Sequence, residues 1–215
     1  TIGGIIVDSG KFDWAKDPKR QPMLNNPDPS YHGMIWTEFA KAVGPIAYIV
    51  RARFVGLRDL GPALSPQSAF QIIQGLETVS LRMEKHCSNA EKVAEYLSSH
   101  NKVSKVIYAG LDEGEAGERA NKYLKGGHGA LCGFELKGGK ASGEKFINNL
   151  NMFYHVANIG DARSLAIHPA TTTHSQLSDE DMESAGVNPS YVRLSIGIEH
   201  IDDIIEDLKN ALDTA

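Results

Sequence analysis

The chain has 215 residues, 41% apolar and 23% charged, a composition typical of globular proteins. Its net charge of −5 and the lack of a basic stripe argue against a nucleic-acid partner. The sequence has no apolar run of membrane-spanning length and no signal-peptide pattern, so we expect no membrane association. The two cysteines, Cys87 and Cys132, lie far apart without a CxxC partner, which favours reduced thiols and a cytoplasmic location.

The first eight residues, TIGGIIVD, are mostly apolar, as in a strand buried within a sheet. Such a strand needs neighbours on both sides, and a chain terminus is a poor place for one. We therefore interpret the chain as the C-terminal part of a longer protein.

Residues 10–28 are polar and rich in proline, which predicts a long surface segment without a helix. Residues 35–54 carry apolar side chains at roughly helical spacing, interrupted at Gly44 and Pro45.

Ser65 followed by Pro66 is typical of a helix start, with a serine cap and a proline in the first turn. The helical pattern then continues to about Leu97, and an unbroken helix of that length would span roughly 45 to 50 Å. Such a helix would bridge two lobes. The alternative is a pair of helices with a break near Gly75 or Cys87.

From residue 101 onward, strand and helix patterns alternate. Strands are predicted at 103–108, 129–136 and 152–156, and helices at 115–124 and 142–150. Together with a fourth strand at the end of the chain, they predict a compact α+β domain in which helices cover a strand layer.

That fourth strand, residues 191–199, alternates between apolar and polar side chains and leads into an amphipathic helix. Arg193 lies on its polar side, and the planar guanidinium can bind a carboxylate bidentately. The alternative interpretation is an arginine that faces water from the surface of the sheet.

Other motifs favour structural interpretations. The glycine clusters at 126–129 and 138–140 lack the strand and helix context of a phosphate-binding loop, so we interpret them as turns. His168 and His174 do not have metal-ligand spacing. Neither a nucleophile elbow nor the order of a Ser-His-Asp triad is present.

Several segments together resemble the C-terminal half of the pyridoxal-phosphate enzymes of cysteine and methionine metabolism, above all the O-acetylhomoserine sulfhydrylase branch. The resemblance covers essentially the whole chain in the expected order. The matching segments are TIGGIIVD (1–8), LRDLGPALSP (57–66), QGLET (74–78), LRM (81–83), NIGDARSL (158–165), HPATTTHSQL (168–177) and RLSIGIE (193–199).

The resemblance implies an α/β fold of the aspartate-aminotransferase-like type (fold type I). Residues 1–60 would be the C-terminal end of the large pyridoxal-phosphate-binding domain, residues 61–100 a long bridging helix, and residues 101–215 a smaller α+β C-terminal domain. The missing N-terminal half and a homotetramer are the partners that it implies.

Four substrate-binding residues follow from the resemblance. Arg193 would bind the α-carboxylate of the amino-acid substrate, and Asn158 would lie beside it, where many relatives have serine. Thr173 and Ser164 would line the same pocket, although core packing explains both equally well.

The implied activity replaces the acetoxy group of O-acetyl-L-homoserine by sulfide or a thiol, giving homocysteine or methionine. The implied cofactor is pyridoxal 5'-phosphate. Its Schiff-base lysine would precede Thr1, so the chain alone is expected to be inactive. The alternatives are a fragment of a methionine γ-lyase or a cystathionine γ-synthase, or a non-catalytic interaction domain.

Overall fold

The computed structural model describes residues 1–215 apart from the side chain of Asp179. The chain divides into two compact units, Thr1–Glu77 and Thr78–Ala215. None of the helices in the described residues is both long and apolar enough to cross a lipid bilayer.

The first unit is built from short helices around Trp36, which is fully buried. The indole Nε1 donates a hydrogen bond to Asp28 Oδ2 at 2.9 Å, and the rings of Tyr31, Phe39 and Phe54 pack around the indole. The helices are α1 (Pro22–Asn25), α2 (Trp36–Ala40), α3 (Ala47–Arg51) and α4 (Pro66–Glu77), with a 3₁₀-helix at Pro29–Tyr31 and a π-helix at Ala52–Asp59.

The prediction of a strand in the first eight residues is wrong for this structure. Residues 1–9 have no regular secondary structure, and Ile2 and Ile5 are 91% and 88% exposed. A strand requires ladder hydrogen bonds from a neighbour, and no described segment pairs with these residues.

The predicted long helix is two helices, α4 and α5 (Val79–Ser99), separated at Thr78. The break therefore lies near Gly75, one of the two positions expected. The predicted start is confirmed, because Ser65 Oγ accepts a hydrogen bond from the Ser68 N–H at 3.2 Å. The apolar side of α4, which carries Phe70 and Ile73, is exposed.

The second unit contains a five-stranded sheet in the order β1-β2-β5-β4-β3. All adjacent strands are antiparallel except β3 and β4, which are parallel. Strand β4 was not predicted because its three residues are too few to show a period. The strands are β1 (Val103–Ile107), β2 (Leu131–Leu136), β3 (Tyr154–His155), β4 (Leu165–Ile167) and β5 (Tyr191–Ser195).

Helices pack on one face of this sheet, which confirms the predicted α+β arrangement of a strand layer covered by helices. The remaining helices are α6 (Gly114–Tyr123), α7 (Gly139–Asn148), α8 (Asp179–Ser184) and α9 (Ile201–Thr214). Apolar side chains of α5, α7 and α9 form one core with those of the strands. This core includes Val93, Leu97, Cys132, Phe134, Phe146, Val192, Leu194, Ile204 and Leu208.

Asp207 on α9 fixes the segment that leads from α7 into β3. Its buried carboxylate accepts backbone hydrogen bonds from Asn151 and Met152, each at 2.9 Å, and from Phe153 at 3.3 Å. A carboxylate suits three converging N–H donors because it has only acceptor sites.

Asp207→Asn should therefore lower the free energy of unfolding by about 2 kcal/mol, since an amide NH₂ would face backbone donors that need a charged acceptor. Urea denaturation followed by circular dichroism measures this change. Glu206→Gln is the matched control, because Glu206 is exposed on the same helix. Equal loss of stability in the two variants would contradict the role given to Asp207.

Candidate functional site

Arg193 lines a cleft of about 410 Å³ in the second unit. It lies on β5 between Val192 and Leu194, which are fully buried in the core, and its own side chain is only half-buried. The predicted alternation is therefore confirmed over residues 191–194, whereas Ser195 is buried and the strand ends there rather than at Glu199. The core residues direct Arg193 to the opposite face of the sheet.

Two chain segments form the walls of the cleft. One continues from β4 and the other leads into β5. The first contributes Ile167, Pro169, Thr173 and His174; the second contributes Gly186, Val187, Asn188 and Tyr191; Ile107, Glu135 and Ala157 complete the lining.

Gly133 makes room for the ring of Tyr191 beside Arg193. In the β2–β5 ladder Gly133 is the partner of Arg193, and Glu135 is the partner of Tyr191. A Cβ atom on Gly133 would lie 2.4 Å from the Tyr191 ring, so a larger residue would displace that ring. Burial raises the pKa of the Tyr191 phenol, against a smaller opposing effect of Arg193. The ring therefore contributes a neutral phenol to the cleft.

The guanidinium of Arg193 keeps donors available. One Nη donates to the backbone oxygen of Asn158 at 3.3 Å, and Arg193 forms no salt bridge with any described side chain. The carboxylate of Glu135 in the same cleft is engaged elsewhere. It accepts from Asn188 Nδ2 at 3.0 Å and lies 4.0 Å from Lys105 Nζ. The planar donor set of Arg193 can therefore bind an anionic group such as a carboxylate.

The segment 158–164 is attached along β5 and its continuation. Besides the bond from Arg193 to Asn158, the Gly160 N–H donates to Ser195 Oγ at 3.1 Å. The Ile198 N–H donates to the Ala162 oxygen at 2.9 Å. These bonds hold the Asn158 carbonyl next to the guanidinium.

Ser164 is fully buried and attaches the end of the 158–164 segment to the continuation of β5. Its N–H and its hydroxyl donate to the Glu199 carboxylate at 2.7 and 3.0 Å, and its Oγ accepts from the Gly197 N–H at 2.9 Å. A Cβ atom on Gly197 would lie 2.2 Å from Glu199 Oε2, so glycine lets the carboxylate reach Ser164.

The structure brings together three of the four residues predicted to bind substrate. Arg193 and Thr173 line the cleft, and Thr173 Oγ1 lies 2.9 Å from His174 Nδ1. Asn158 meets Arg193 through its backbone oxygen, while its side-chain Oδ1 accepts from the Ile159 N–H at 2.9 Å. Ser164 does not line the cleft. Substrate binding by these residues stays a prediction.

Sequence reasoning predicted only Arg193 and Thr173 of the lining residues; among the polar ones that it missed are Glu135, Asn188 and Tyr191. Glu135 and Tyr191 could have been found, because each lies two positions along its strand from Gly133 or Arg193 and shares their face. Asn188 lies in a loop, where no periodic pattern indicates direction.

Comparison with known proteins shows matches over the whole chain. A family model described as Cys/Met metabolism PLP-dependent enzyme matches residues 1–213. A homocysteine synthase of Schizosaccharomyces pombe is 50% identical over 215 residues, covering 100% of this chain and 49% of that protein. An O-acetyl-L-homoserine sulfhydrylase of Leptospira meyeri is 52% identical over 218 residues, covering 99% and 49%.

A solved structure shares the fold. It is described as an O-acetylhomoserine (thiol)-lyase from Campylobacter jejuni that contains a pyridoxyl-lysine monophosphate residue. It matches with a TM-score of 0.76 and 43% identity, over 88% of this chain and 44% of that one. This confirms the predicted fold type. The chain spans about half the length of the curated relatives it matches.

The cleft around Arg193 does not itself fit the pyridoxal phosphate of this family. No lysine amine is among the described residues that line it. Among the described residues that line it, Arg193 is a cation without a salt bridge, and its guanidinium suits the carboxylate of an amino acid. The residues that would hold the cofactor are not found in this cleft.

Glu199→Gln should loosen the 158–164 segment, because one amide oxygen cannot replace two carboxylate acceptors of Ser164. We expect a loss of about 2 kcal/mol in the free energy of unfolding, with faster hydrogen exchange at the amides of Ser164 and Gly197. Glu95→Gln, on the exposed side of α5, is the control. Unchanged exchange at both amides would contradict this role of Glu199.

Proposed function

Because the chain belongs to the pyridoxal-phosphate-dependent enzymes of cysteine and methionine metabolism, we propose that it is the C-terminal part of an O-acetylhomoserine sulfhydrylase. The whole enzyme would replace the acetoxy group of O-acetyl-L-homoserine by sulfide or a thiol, giving homocysteine or methionine. The observation that carries this proposal is identity of 50% and 52% over essentially the full chain to proteins with these names.

In this proposal Arg193 binds the α-carboxylate of O-acetyl-L-homoserine. Its planar donor set can grip both carboxylate oxygens, and the Asn158 carbonyl occupies one donor and limits rotation of the guanidinium. Thr173 flanks the carboxylate from the wall of the cleft. Ser164 acts indirectly, by holding the 158–164 segment in place. Arg193 thus contributes orientation of the substrate rather than bond formation.

Pyridoxal phosphate, when bound in the whole enzyme, supplies an electron sink for elimination and addition at the amino-acid side chain. We propose that the lysine which binds it lies outside residues 1–215. The chain by itself would then bind and orient the amino acid without turning it over.

The organisation of the whole protein is part of the proposal. Residues 1–60 would be the C-terminal end of the large cofactor-binding domain, and residues 101–215 would form the C-terminal domain. Residues 61–100 would connect the two domains. A homotetramer in the cytoplasm is the proposed state. The two free cysteines, Cys87 and Cys132, support a reducing compartment.

A chimera tests the activity. The part of the Leptospira meyeri sulfhydrylase that this chain does not match is joined to residues 1–215 and purified with pyridoxal phosphate. We expect homocysteine from O-acetyl-L-homoserine and sulfide, and no turnover by residues 1–215 alone. A folded, cofactor-loaded chimera that instead cleaves methionine, or that uses cysteine in place of sulfide, would overturn the proposal in favour of a lyase or a cystathionine-forming enzyme.

Arg193→Lys in this chimera should lower kcat/KM for O-acetyl-L-homoserine by roughly 30-fold, about 2 kcal/mol, because a point charge replaces a bidentate clamp. Steady-state kinetics at saturating sulfide measures the effect. Arg119→Lys on α6 is the matched control, since Arg119 is exposed and outside the cleft. Kinetics equal to those of the control would remove Arg193 from the binding site.

A further inference from the structure

His168 is a fully buried polar side chain between the two walls of the Arg193 cleft. It follows β4 directly and precedes Pro169, which lines one wall. Its Nε2 lies 2.8 Å from the backbone oxygen of Pro189, which adjoins Asn188 on the other wall. One imidazole therefore connects segments that are 21 residues apart in sequence.

The hydrogen-bond partners define the form of the imidazole. A backbone oxygen can only accept, so Nε2 carries the proton in the bond to Pro189. With the proton on Nε2, Nδ1 can only accept, and Thr171 Oγ1 lies 2.9 Å from it; the same hydroxyl also lies 3.3 Å from the His168 backbone oxygen, a second acceptor for its proton. Burial lowers the pKa of His168, the largest effect on it, and this favours the neutral ring. Nε2 thus bonds across to the opposite wall, whereas Nδ1 bonds within its own segment.

Helix α7 restricts the position of the ring. A Cβ atom on Gly143 would lie 2.3 Å from His168 Nε2 and 2.7 Å from its Cδ2. Glycine at this helical position lets α7 approach the imidazole closely, and the ring has no free space to move toward the helix.

The wall bound by His168 is the one that leads directly to Arg193. Beyond Pro189, the chain enters β5 through Ser190, whose N–H and hydroxyl both donate to Asn188 Oδ1 at 2.9 Å. Asn188 Nδ2 in turn donates to Glu135. A displacement of Pro189 would therefore be transmitted to the side chains beside the guanidinium.

We propose that His168 is a positioning residue for carboxylate binding: its Nε2 bond to Pro189 holds the two walls of the cleft at the separation that Arg193 requires. The proposal deepens the role proposed above for Arg193 and depends on it. His168 touches no substrate in this scheme and acts through the wall that carries Asn188 and Tyr191.

Two substitutions separate the two bonds of the imidazole. In His168→Gln the amide nitrogen can replace Nε2 and keep the bond to Pro189. In His168→Asn the shorter side chain can replace Nδ1 near Thr171 but cannot reach Pro189. We expect His168→Asn to weaken binding of L-methionine to the 215-residue chain by about tenfold and His168→Gln to retain affinity within about threefold, because positioning of the clamp controls affinity.

The readout is the dissociation constant of L-methionine, measured from shifts of the Arg193 Nε–Hε resonance in ¹⁵N-edited NMR spectra. The decarboxylated analogue 3-(methylthio)propylamine is the control ligand, and its binding should be equal in all variants. A general loss of structure would instead weaken the binding of both ligands and change the backbone amide spectrum.

Gly143→Ala gives a second approach that leaves His168 in place. The added Cβ would push the imidazole away from Pro189, although alanine favours the α7 helix itself. We expect weaker L-methionine binding, unchanged binding of 3-(methylthio)propylamine and a native backbone amide spectrum, although overpacking by the added Cβ lowers thermal stability. A purely structural role of His168 would not make the loss selective for the ligand that carries a carboxylate. This variant also decides the question if His168→Asn does not fold.

The outcomes are distinct. No shift of the Arg193 resonance with L-methionine in the unaltered chain would overturn carboxylate binding by Arg193, and the role of His168 with it. If the unaltered chain binds L-methionine, and Gly143→Ala or folded His168→Asn binds it with equal affinity, only the role of His168 is overturned. Weaker binding of L-methionine alone in both Gly143→Ala and His168→Asn, with near-normal affinity in His168→Gln, would establish the positioning role of His168.

Discussion

The position of Arg193 depends on the burial of its two neighbours in β5. Val192 and Leu194 are fully buried against the helices, and in a strand this forces the intervening side chain to the other face. A shift of register by one residue would bury the guanidinium and expose both apolar side chains, at a cost of several kcal/mol. Packing of α5, α7 and α9 therefore determines the direction of the functional side chain, although none of those helices lines the cleft.

Beyond Ser195 the chain leaves the sheet, and side chains take over the hydrogen bonds that a ladder would provide. His86 Nδ1 lies 2.6 Å from the Ile196 oxygen, and Asn89 Nδ2 donates to the oxygens of Gly197 and Glu199 at 3.0 and 2.9 Å. Buried backbone oxygens need such partners. The continuation of β5 is therefore fixed by α5 and by the Glu199–Ser164 hydrogen bonds.

Period and turn chemistry allowed the sequence to predict a strand layer covered by helices, the face of Arg193, the start of α4 and the helices α6, α7 and α9, whereas the α/β class followed from the family resemblance. The errors have local causes. Residues 1–8 show an apolar pattern, but pattern alone does not supply the neighbouring strand that a ladder requires. Likewise, the apolar side of α4 is evident in the sequence, whereas what covers it is not. The buried position of Ser164 agrees with the core-packing alternative, but its partner Glu199, 35 residues away, could not be identified from the sequence.

The polar groups around the cleft differ in how fully they are engaged. Glu135 is bonded to Asn188, and Thr173 contacts His174. By contrast, Arg193 donates to a single backbone oxygen at 3.3 Å and forms no salt bridge with the described side chains. Because the Arg193 guanidinium is fixed in direction but makes few hydrogen bonds, it can bind a carboxylate without first breaking an internal ion pair. Such preorganisation reduces the cost of binding. The sheet and its loops thus present the Arg193 guanidinium with unused donors in a cleft where, among the described residues, the Glu135 carboxylate is already paired.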